Sequence, residues 1–134
     1  RVPAAPRPDG DPAPLPYLSD PGNAERGGIE LTLEVWIRTA GMRERGEAEA
    51  LLSRGGFSRM YWTLGQMLAH HASNGCNLRP GDLIASGTVS GPERESRGCL
   101  LERTWRGTQP LALPTGDRAL GPAVEFTTAR GIYG

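Results

Sequence analysis

A ten-residue alternation of apolar and polar side chains constrains the fold of this chain more tightly than any other pattern in it. The apolar positions are Ile29, Leu31, Leu33, Val35 and Ile37, and the positions between them are Glu30, Thr32, Glu34, Trp36 and Arg38. A period of two is that of a β-strand with one buried face and one solvated face. The pattern therefore predicts a half-exposed strand of the kind found in antiparallel sheets.

A second pattern, with apolar residues three and four positions apart, predicts one main helix later in the chain. Its positions are Phe57, Tyr61, Leu64, Leu68 and either His71 or Ala72. The Ser58 hydroxyl is expected to cap the first turn, with Phe57 and Trp62 packed as a hydrophobic staple. Asn74-Gly75 is expected to end the helix, because glycine tolerates the left-handed backbone of a helix terminus.

Shorter segments predict a β-rich α+β chain with several turns. Turns are expected in residues 21–28 and 41–46 and at Pro80-Gly81, where proline and glycine suit positions i+1 and i+2 of a type II turn. Further strands are expected over residues 82–89, 99–106 and 124–128, and a turn with a short strand over residues 107–116. Residues 47–53 fit either a short helix or a return strand.

Prolines set residues 1–16 apart from the rest of the chain, because six of the twelve prolines fall there. Proline lacks a backbone N–H and fixes φ, so both helix and central strand are disfavoured. An extended tail or linker is favoured over a proline-rich ligand for a partner. Residues 17–134 are enough for one domain with a single hydrophobic core.

The composition excludes several classes of function. All 15 basic residues are arginine, which excludes Schiff-base and lysine-base chemistry within this chain. The formal net charge is zero, so no overall field draws the chain to nucleic acid or to an anionic membrane. No apolar run approaches the roughly 20 residues of a membrane span. Cys76 and Cys99 are too few for a disulfide framework, and reduced thiols in the cytosol are the plain interpretation.

Three side chains near the predicted helix end invite a reactive role, yet each has a simpler interpretation. His70 and His71 point about 100° apart on a helix, so both cannot bind one metal ion. We expect one to be hydrogen-bonded and to face the core, and the other to cap helix carbonyls. Cys76 with a histidine base would be a nucleophilic pair, but a helix C-terminus disfavours the thiolate. We therefore expect Cys76 to be a small buried side chain.

Hydroxyl and carboxylate side chains farther along are the stronger candidates. Ser86 and Thr88 flank Gly87 at a predicted strand end, where small residues leave room for an oxygen-rich anion. An ordinary exit from strand to turn explains the same pattern equally well. The carboxylates that could bind a metal ion are Asp82, Glu93, Glu95 and Glu102. No two of them are spaced to chelate, so no metal site is predicted, and the pattern alone favours an exposed Glu102.

Four blocks of sequence resemble the C-terminal part of the fumarylacetoacetate hydrolase family. They are residues 14–18 (PLPYL), 60–63 (MYWT), 70–82 (HHASNGCNLRPGD) and 85–93 (ASGTVSGPE), and the match continues through Leu101-Glu102, Trp105 and Gly107-Thr108. The likeness covers roughly residues 14–113, and the NGCNLRPGD block and the ASGT and SGPE parts of residues 85–93 are together highly specific. It implies a mixed, mostly antiparallel β-roll of that family's C-terminal type, with one main helix.

The resemblance also implies an activity. Enzymes of this type hydrolyse a carbon–carbon bond of 4-fumarylacetoacetate, a β-diketone, to fumarate and acetoacetate at the end of tyrosine and phenylalanine breakdown. Mg²⁺ or Ca²⁺ polarises the diketone, and a histidine oriented by a glutamate activates water. The substrate-binding threonine falls on Thr88 and the orienting glutamate on Glu102, which replaces the exposed interpretation of Glu102. A cytoplasmic homodimer that binds only a small-molecule substrate is implied as well.

Other parts of the family's active site do not fall on this chain. Its metal-binding carboxylates, its general-base histidine and its Arg, Tyr and Lys substrate contacts all precede the proline-rich stretch. His70 and His71 match helix histidines and inherit no catalytic role, and residues 120–134 depart from the family pattern. We therefore expect residues 17–134 to be a partial C-terminal domain of this family's type, from a longer hydrolase, and the chain to be inactive alone. The alternatives are a non-catalytic dimerising or complementing module and, more weakly, a thiol hydrolase that uses Cys76.

Overall fold

A computed structural model describes residues 1–114, 116, 118–119 and 126–132, the last two ranges by their backbone. The described residues form an α+β fold with a small antiparallel sheet and few helices, which confirms the α+β part of the predicted fold class. The helices are α1 (Pro21–Arg26), α2 (Ala40–Glu44), α3 (Leu64–Ala72) and α4 (Leu100–Arg103). The strands are β1 (Thr32–Ile37), β2 (Ala50–Gly56), β3 (Leu111–Ala112), β4 (Arg118–Ala119) and β5 (Phe126–Ile132).

The chain divides into two compact units. Unit 1 comprises Arg1–Glu30 and Phe57–Gly87, and unit 2 comprises Leu31–Gly56 and Thr88–Gly134. No helix among the described residues is long and apolar enough to cross a membrane. The predicted division of the chain after residue 16 stays a prediction.

The sheet of unit 2 is built on the alternating segment. The predicted strand is confirmed as β1, which pairs antiparallel with β2 on one side and with β5 on the other. The strand β2 also decides the open alternative for residues 47–53 in favour of a return strand. The last predicted strand is present as β5, although residues 124 and 125 lie outside the described part.

The predicted division of β1 into one buried and one wet face is wrong. The pairing register shifts between Val35 and Trp36 against β2, and between Trp36 and Ile37 against β5. Such irregularities interrupt the strict alternation of side chains between the two faces. Glu34 and Ile37, which the pattern assigns to opposite faces, are consequently the two buried residues of β1.

The core of unit 2 joins residues of β1, β2, β3, α2 and α4. Its members are Ile37, Met42, Ala50, Leu52, Leu100, Leu111 and Leu113. The prediction that residues 41–46 are only a turn is wrong, because Thr39 caps α2 by accepting the Met42 N–H at 3.1 Å. The helix turns the Met42 side chain into this apolar cluster, where its burial stabilises the unit.

Two further strands predicted from the sequence are absent. Residues 99–106 contain the helix α4 (Leu100–Arg103) instead, because the Thr104 N–H and hydroxyl both donate to the Leu100 carbonyl, at 2.9 and 2.7 Å, and close a helical turn. Residues 82–89 belong to no strand. Gly87 has φ +75°, which lies outside the β region and interrupts an extended run.

Unit 1 contains the longest helix of the described residues, α3. Thr63 caps it in place of Ser58, so the predicted helix start is wrong. The Thr63 hydroxyl accepts the Gln66 N–H at 3.1 Å, and the Gln66 side chain accepts the Thr63 N–H at 3.0 Å. Residues 57–59 form a separate 3-10 turn, which explains the later start. The predicted glycine end is confirmed, because Gly75 has φ +87° just beyond the helix.

The turn predictions in unit 1 have mixed outcomes. Pro80-Gly81 is confirmed as a turn, since the Asp82 N–H donates to the Arg79 carbonyl at 3.1 Å and Gly81 has φ +99°. Residues 21–28 were expected to be turns but contain α1, which the Asp20 side chain caps by accepting the Asn23 N–H at 2.6 Å.

Candidate functional site

The best-defined polar arrangement of unit 2 surrounds Glu102 on α4. Its Oε2 accepts a hydrogen bond from the Ser90 hydroxyl at 2.5 Å, and Ser90 Oγ accepts the Gly98 N–H at 3.1 Å. A Cβ atom at Gly98 would collide with the Val89 carbonyl oxygen, so only glycine fits at this point of the chain. The Gly98–Ser90–Glu102 chain therefore holds the carboxylate in one orientation, although Glu102 itself is exposed.

The exposure of Glu102 corrects one expectation. The resemblance placed the glutamate inside, whereas the structure leaves it exposed, as the pattern alone had favoured. Its carboxylate is nevertheless bonded, so exposure does not leave it randomly oriented. Its role of orienting a histidine stays a prediction.

Thr88, the other predicted site residue, lies close to the same glycine. Its methyl carbon is 3.1 Å from the position that a Cβ on Gly98 would occupy. Gly98 thus adjoins both Thr88 and, through Ser90, Glu102. Thr88 is exposed, and its role in substrate binding stays a prediction. Ser86, in unit 1, donates its hydroxyl to the Gly87 carbonyl at 3.1 Å.

A cavity of about 480 Å³ opens beside the Glu102 carboxylate. Besides Ser90 and Glu102, its walls include Arg97, Leu101, Trp105 and Arg106. The Arg97 guanidinium donates to the Glu102 backbone carbonyl at 3.4 Å and lies 5.3 Å from the centre of the Trp105 ring. The sequence analysis assigned no role to Arg97 or Arg106.

Two other arginines, Arg94 before α4 and Arg103 on α4, form a clasp in which each donates a hydrogen bond to the other's backbone carbonyl. Arg94 Nη2 donates to the Arg103 carbonyl at 3.3 Å, and Arg103 Nη1 donates to the Arg94 carbonyl. Burial lowers the pKa of Arg103, and the nearby positive charges of Arg94 and Arg97 lower it further, against the opposing effect of Glu95. The clasp fixes the 3-10 turn Arg94–Ser96 against α4.

The histidines and Cys76 lie in unit 1 and form no reactive group there. The His70 Nδ1 is 2.8 Å from the Tyr17 hydroxyl, which confirms that one histidine is hydrogen-bonded. The expectation that this histidine faces the core is wrong, because His70 and His71 are both exposed at the end of α3. Cys76 is exposed as well, not buried, since it follows the turn at Gly75 beyond the helix.

Within the part of the chain that the structure describes, no group of three or more His, Cys, Asp or Glu side chains is arranged to hold a metal ion.

A second polar cluster ties the proline-rich segment to the rest of unit 1. Arg7 Nη1 donates to the Tyr61 hydroxyl at 2.8 Å, and that hydroxyl donates to Asp11 at 2.6 Å. The Arg7 guanidinium lies 4.3 Å from the centre of the Trp62 ring. The hydrogen bond to Asp11 raises the pKa of Tyr61. The cluster borders an apolar cavity of about 440 Å³.

Comparison with known proteins relates this chain to one family. The family model described as fumarylacetoacetate (FAA) hydrolase C-terminal matches residues 10–119. The fumarylacetoacetase of Arabidopsis thaliana is 47% identical over 106 residues, which are 79% of this chain and 24% of that protein. The fumarylacetoacetase of Homo sapiens is 47% identical over 114 residues, 85% of this chain and 26% of that protein.

A third relative is less similar in sequence but matches a similar share of this chain. The fumarylacetoacetase of Dictyostelium discoideum is 40% identical over 108 residues, 81% of this chain and 24% of that protein. The chain therefore spans about a quarter of the length of the curated relatives that it matches.

Proposed function

Because this chain belongs to the fumarylacetoacetate hydrolase C-terminal family, we propose that it is part of a fumarylacetoacetase. The proposed enzyme hydrolyses a carbon–carbon bond of 4-fumarylacetoacetate to fumarate and acetoacetate in tyrosine and phenylalanine breakdown. The observation that carries this proposal is the Gly98–Ser90–Glu102 chain of hydrogen bonds, which fixes a carboxylate at the wall of a cavity.

In the proposed enzyme Glu102 is a positioning residue. A carboxylate that accepts an N–H from an imidazole fixes the tautomer of the histidine and stabilises its protonated form. The Ser90 hydroxyl bonds Oε2, and we assign Oε1 to the histidine. That histidine would come from outside this chain, since His70 and His71 match helix histidines of the family and not its general base.

Thr88 would contribute a hydroxyl to substrate binding. Its exposure leaves that hydroxyl accessible, and its contact with Gly98 keeps it near the residue that orders Ser90.

The metal ion of the proposed enzyme would polarise the diketone when bound, and we assign its ligands to residues outside this chain. We further propose that the sheet of unit 2 belongs to a β-roll and that the complete enzyme is a cytoplasmic homodimer.

The proposal predicts that the isolated chain has no activity, because a glutamate that orients a histidine does nothing without it. Purified chain is incubated with 4-fumarylacetoacetate and Mg²⁺ or Ca²⁺, and loss of the diketone absorbance is followed. We expect no turnover above the uncatalysed rate. Turnover that Glu102→Gln abolishes would contradict the proposal of an incomplete site.

Adding the upstream portion of a fumarylacetoacetase to the purified chain distinguishes a chain that contributes to the active site from a non-catalytic complementing module. If the mixture gains turnover and Glu102→Gln removes it, this chain contributes to the active site. If the gain is unaffected by Glu102→Gln, the chain only stabilises the other portion.

A further inference from the structure

We propose that Arg97 and Arg106 bind a carboxylate group of the substrate in the cavity beside Glu102. This inference rests on the proposed function, and it assigns a substrate contact to two residues outside the matched positions Thr88 and Glu102. Both arginines line the cavity of about 480 Å³ that also contains the Glu102 carboxylate.

The charges of the cavity wall favour an anion. Arg97 and Arg106 bring two positive charges and Glu102 brings one negative charge, so the balance is +2 − 1 = +1. Within the described part of the chain, neither arginine forms an ion pair with a carboxylate. A guanidinium presents paired N–H donors that match the two oxygens of a carboxylate, and such charge-assisted pairs are strong.

The contacts of Arg97 hold its guanidinium in place without an ion pair to a carboxylate of the described residues. One N–H donates to the Glu102 backbone carbonyl, and its guanidinium lies over the Trp105 ring. Stacking on an aromatic face fixes the plane of a guanidinium and leaves donors at its edge for a ligand. Arg97 is therefore preorganised for an anion.

The backbone at the C-terminal end of α4 sets the direction of Trp105 and Arg106. Their φ values are +47° and +59°, a left-handed conformation that is unfavourable for residues with a side chain. The fully buried Thr104 stabilises this turn, because its hydroxyl accepts the Gly107 N–H at 3.0 Å. The local interactions thus maintain a costly conformation in which both residues line the cavity.

The walls also suit the carbon skeleton of the ligand. Leu101 and Trp105 are each 56% exposed, so the cavity offers apolar surface next to its two cations. A volume of about 480 Å³ lies within the range of small-molecule sites. A short unsaturated dicarboxylate such as fumarate meets both requirements.

Titration of the 134-residue chain with fumarate, followed by the indole N–H signal of Trp105 in NMR spectra, tests the inference. We expect saturable shifts of that signal, and Arg97→Ala or Arg106→Ala should weaken fumarate binding about tenfold or more. Arg59→Ala, which removes a charge outside this cavity, is the matched control and should leave binding unchanged. Dimethyl fumarate, which lacks the charges, should not bind.

Two results would overturn the inference. One is equal fumarate affinity of the wild-type chain and both cavity variants. The other is equally strong binding of sulfate at the same ionic strength, because the site would then select only charge. The assay needs no turnover, so it can fail while the proposed hydrolase is active, and it can succeed while that activity is absent.

Discussion

The Ser90 hydroxyl donates a 2.5 Å hydrogen bond to Oε2 of Glu102. Ser90 belongs to the SGPE block and Glu102 to α4, so this bond joins the loop of the candidate site to the helix that presents its carboxylate. The Gly98 N–H completes the arrangement by donating to the same serine oxygen. Ser90 and Gly98 thus fix the Glu102 carboxylate through Oε2 and leave its other oxygen, Oε1, available.

A double-mutant cycle measures the strength of this bond. We expect Ser90→Ala and Glu102→Ala to be coupled by about 0.5–1 kcal/mol in the free energy of unfolding, because the pair is charge-assisted but exposed. Urea unfolding of the four proteins gives the coupling. A parallel cycle of Ser90→Ala with Glu95→Ala is the control and should give none. Coupling of zero in the Ser90–Glu102 cycle would mean that the bond does not form in solution.

The cap of α3 predicts a contrast between two hydroxyl residues. Thr63→Ala should lower the free energy of unfolding by about 1 kcal/mol, since Thr63 is buried and its hydroxyl accepts the Gln66 N–H. Ser58→Ala should change the free energy of unfolding little, because Ser58 lies in the preceding 3-10 turn. Thr63→Ser should restore most of the loss. Equal losses in the free energy of unfolding for Thr63→Ala and Ser58→Ala would contradict the assignment of Thr63 as the cap of α3.

That contrast also explains part of what the sequence could and could not predict. The alternating segment predicted β1 correctly, because the period of two extends over ten residues. Ser58 and Thr63 both offer a capping hydroxyl, and only Thr63 is followed three residues later by a side chain that can complete a capping box. The tertiary environment then favours Thr63, whose hydroxyl donates to Asn23 at 2.7 Å.

The misassigned faces and strands have a different physical origin. Glu34 is buried because of a cross-strand partner: its carboxylate lies 3.3 Å from Arg54 Nε on β2. An alternation pattern contains no information about such a pairing. Likewise, the left-handed backbone of Trp105 and Arg106 depends on contacts around Thr104 and is not typical of these residue types. The sequence resemblance predicted roles for Glu102 and Thr88 but none for Arg97 or Arg106.

The contacts of Tyr61 with Arg7 and Asp11 predict that the folded state loses stability at alkaline pH. The hydrogen bond to Asp11 raises the pKa of Tyr61, so the folded state favours the neutral phenol. The stability that this bond contributes is present at neutral pH and is lost as the pH rises through the raised pKa. Tyrosinate absorbance, compared with that of Tyr61→Phe, isolates this residue among the three tyrosines.

Asp11→Ala provides the control for that titration. The change removes both the hydrogen bond and the negative charge of Asp11, which raise the pKa of Tyr61, so we expect the residue to titrate at lower pH than in the wild-type chain. Identical titration curves for Tyr61 in the two proteins would contradict the Asp11 contact.

The proposed positioning of a catalytic histidine by Glu102 can be measured in a complete fumarylacetoacetase. The protein to use is a chimera in which the 114 matched residues of the human relative are replaced by those of this chain. We predict that the chimera hydrolyses 4-fumarylacetoacetate and that Glu102→Gln lowers its kcat by about a hundredfold or more with little change in KM. Glu95→Gln in the same chimera should leave both constants unchanged. An active chimera whose kcat is unaffected by Glu102→Gln would contradict the claim.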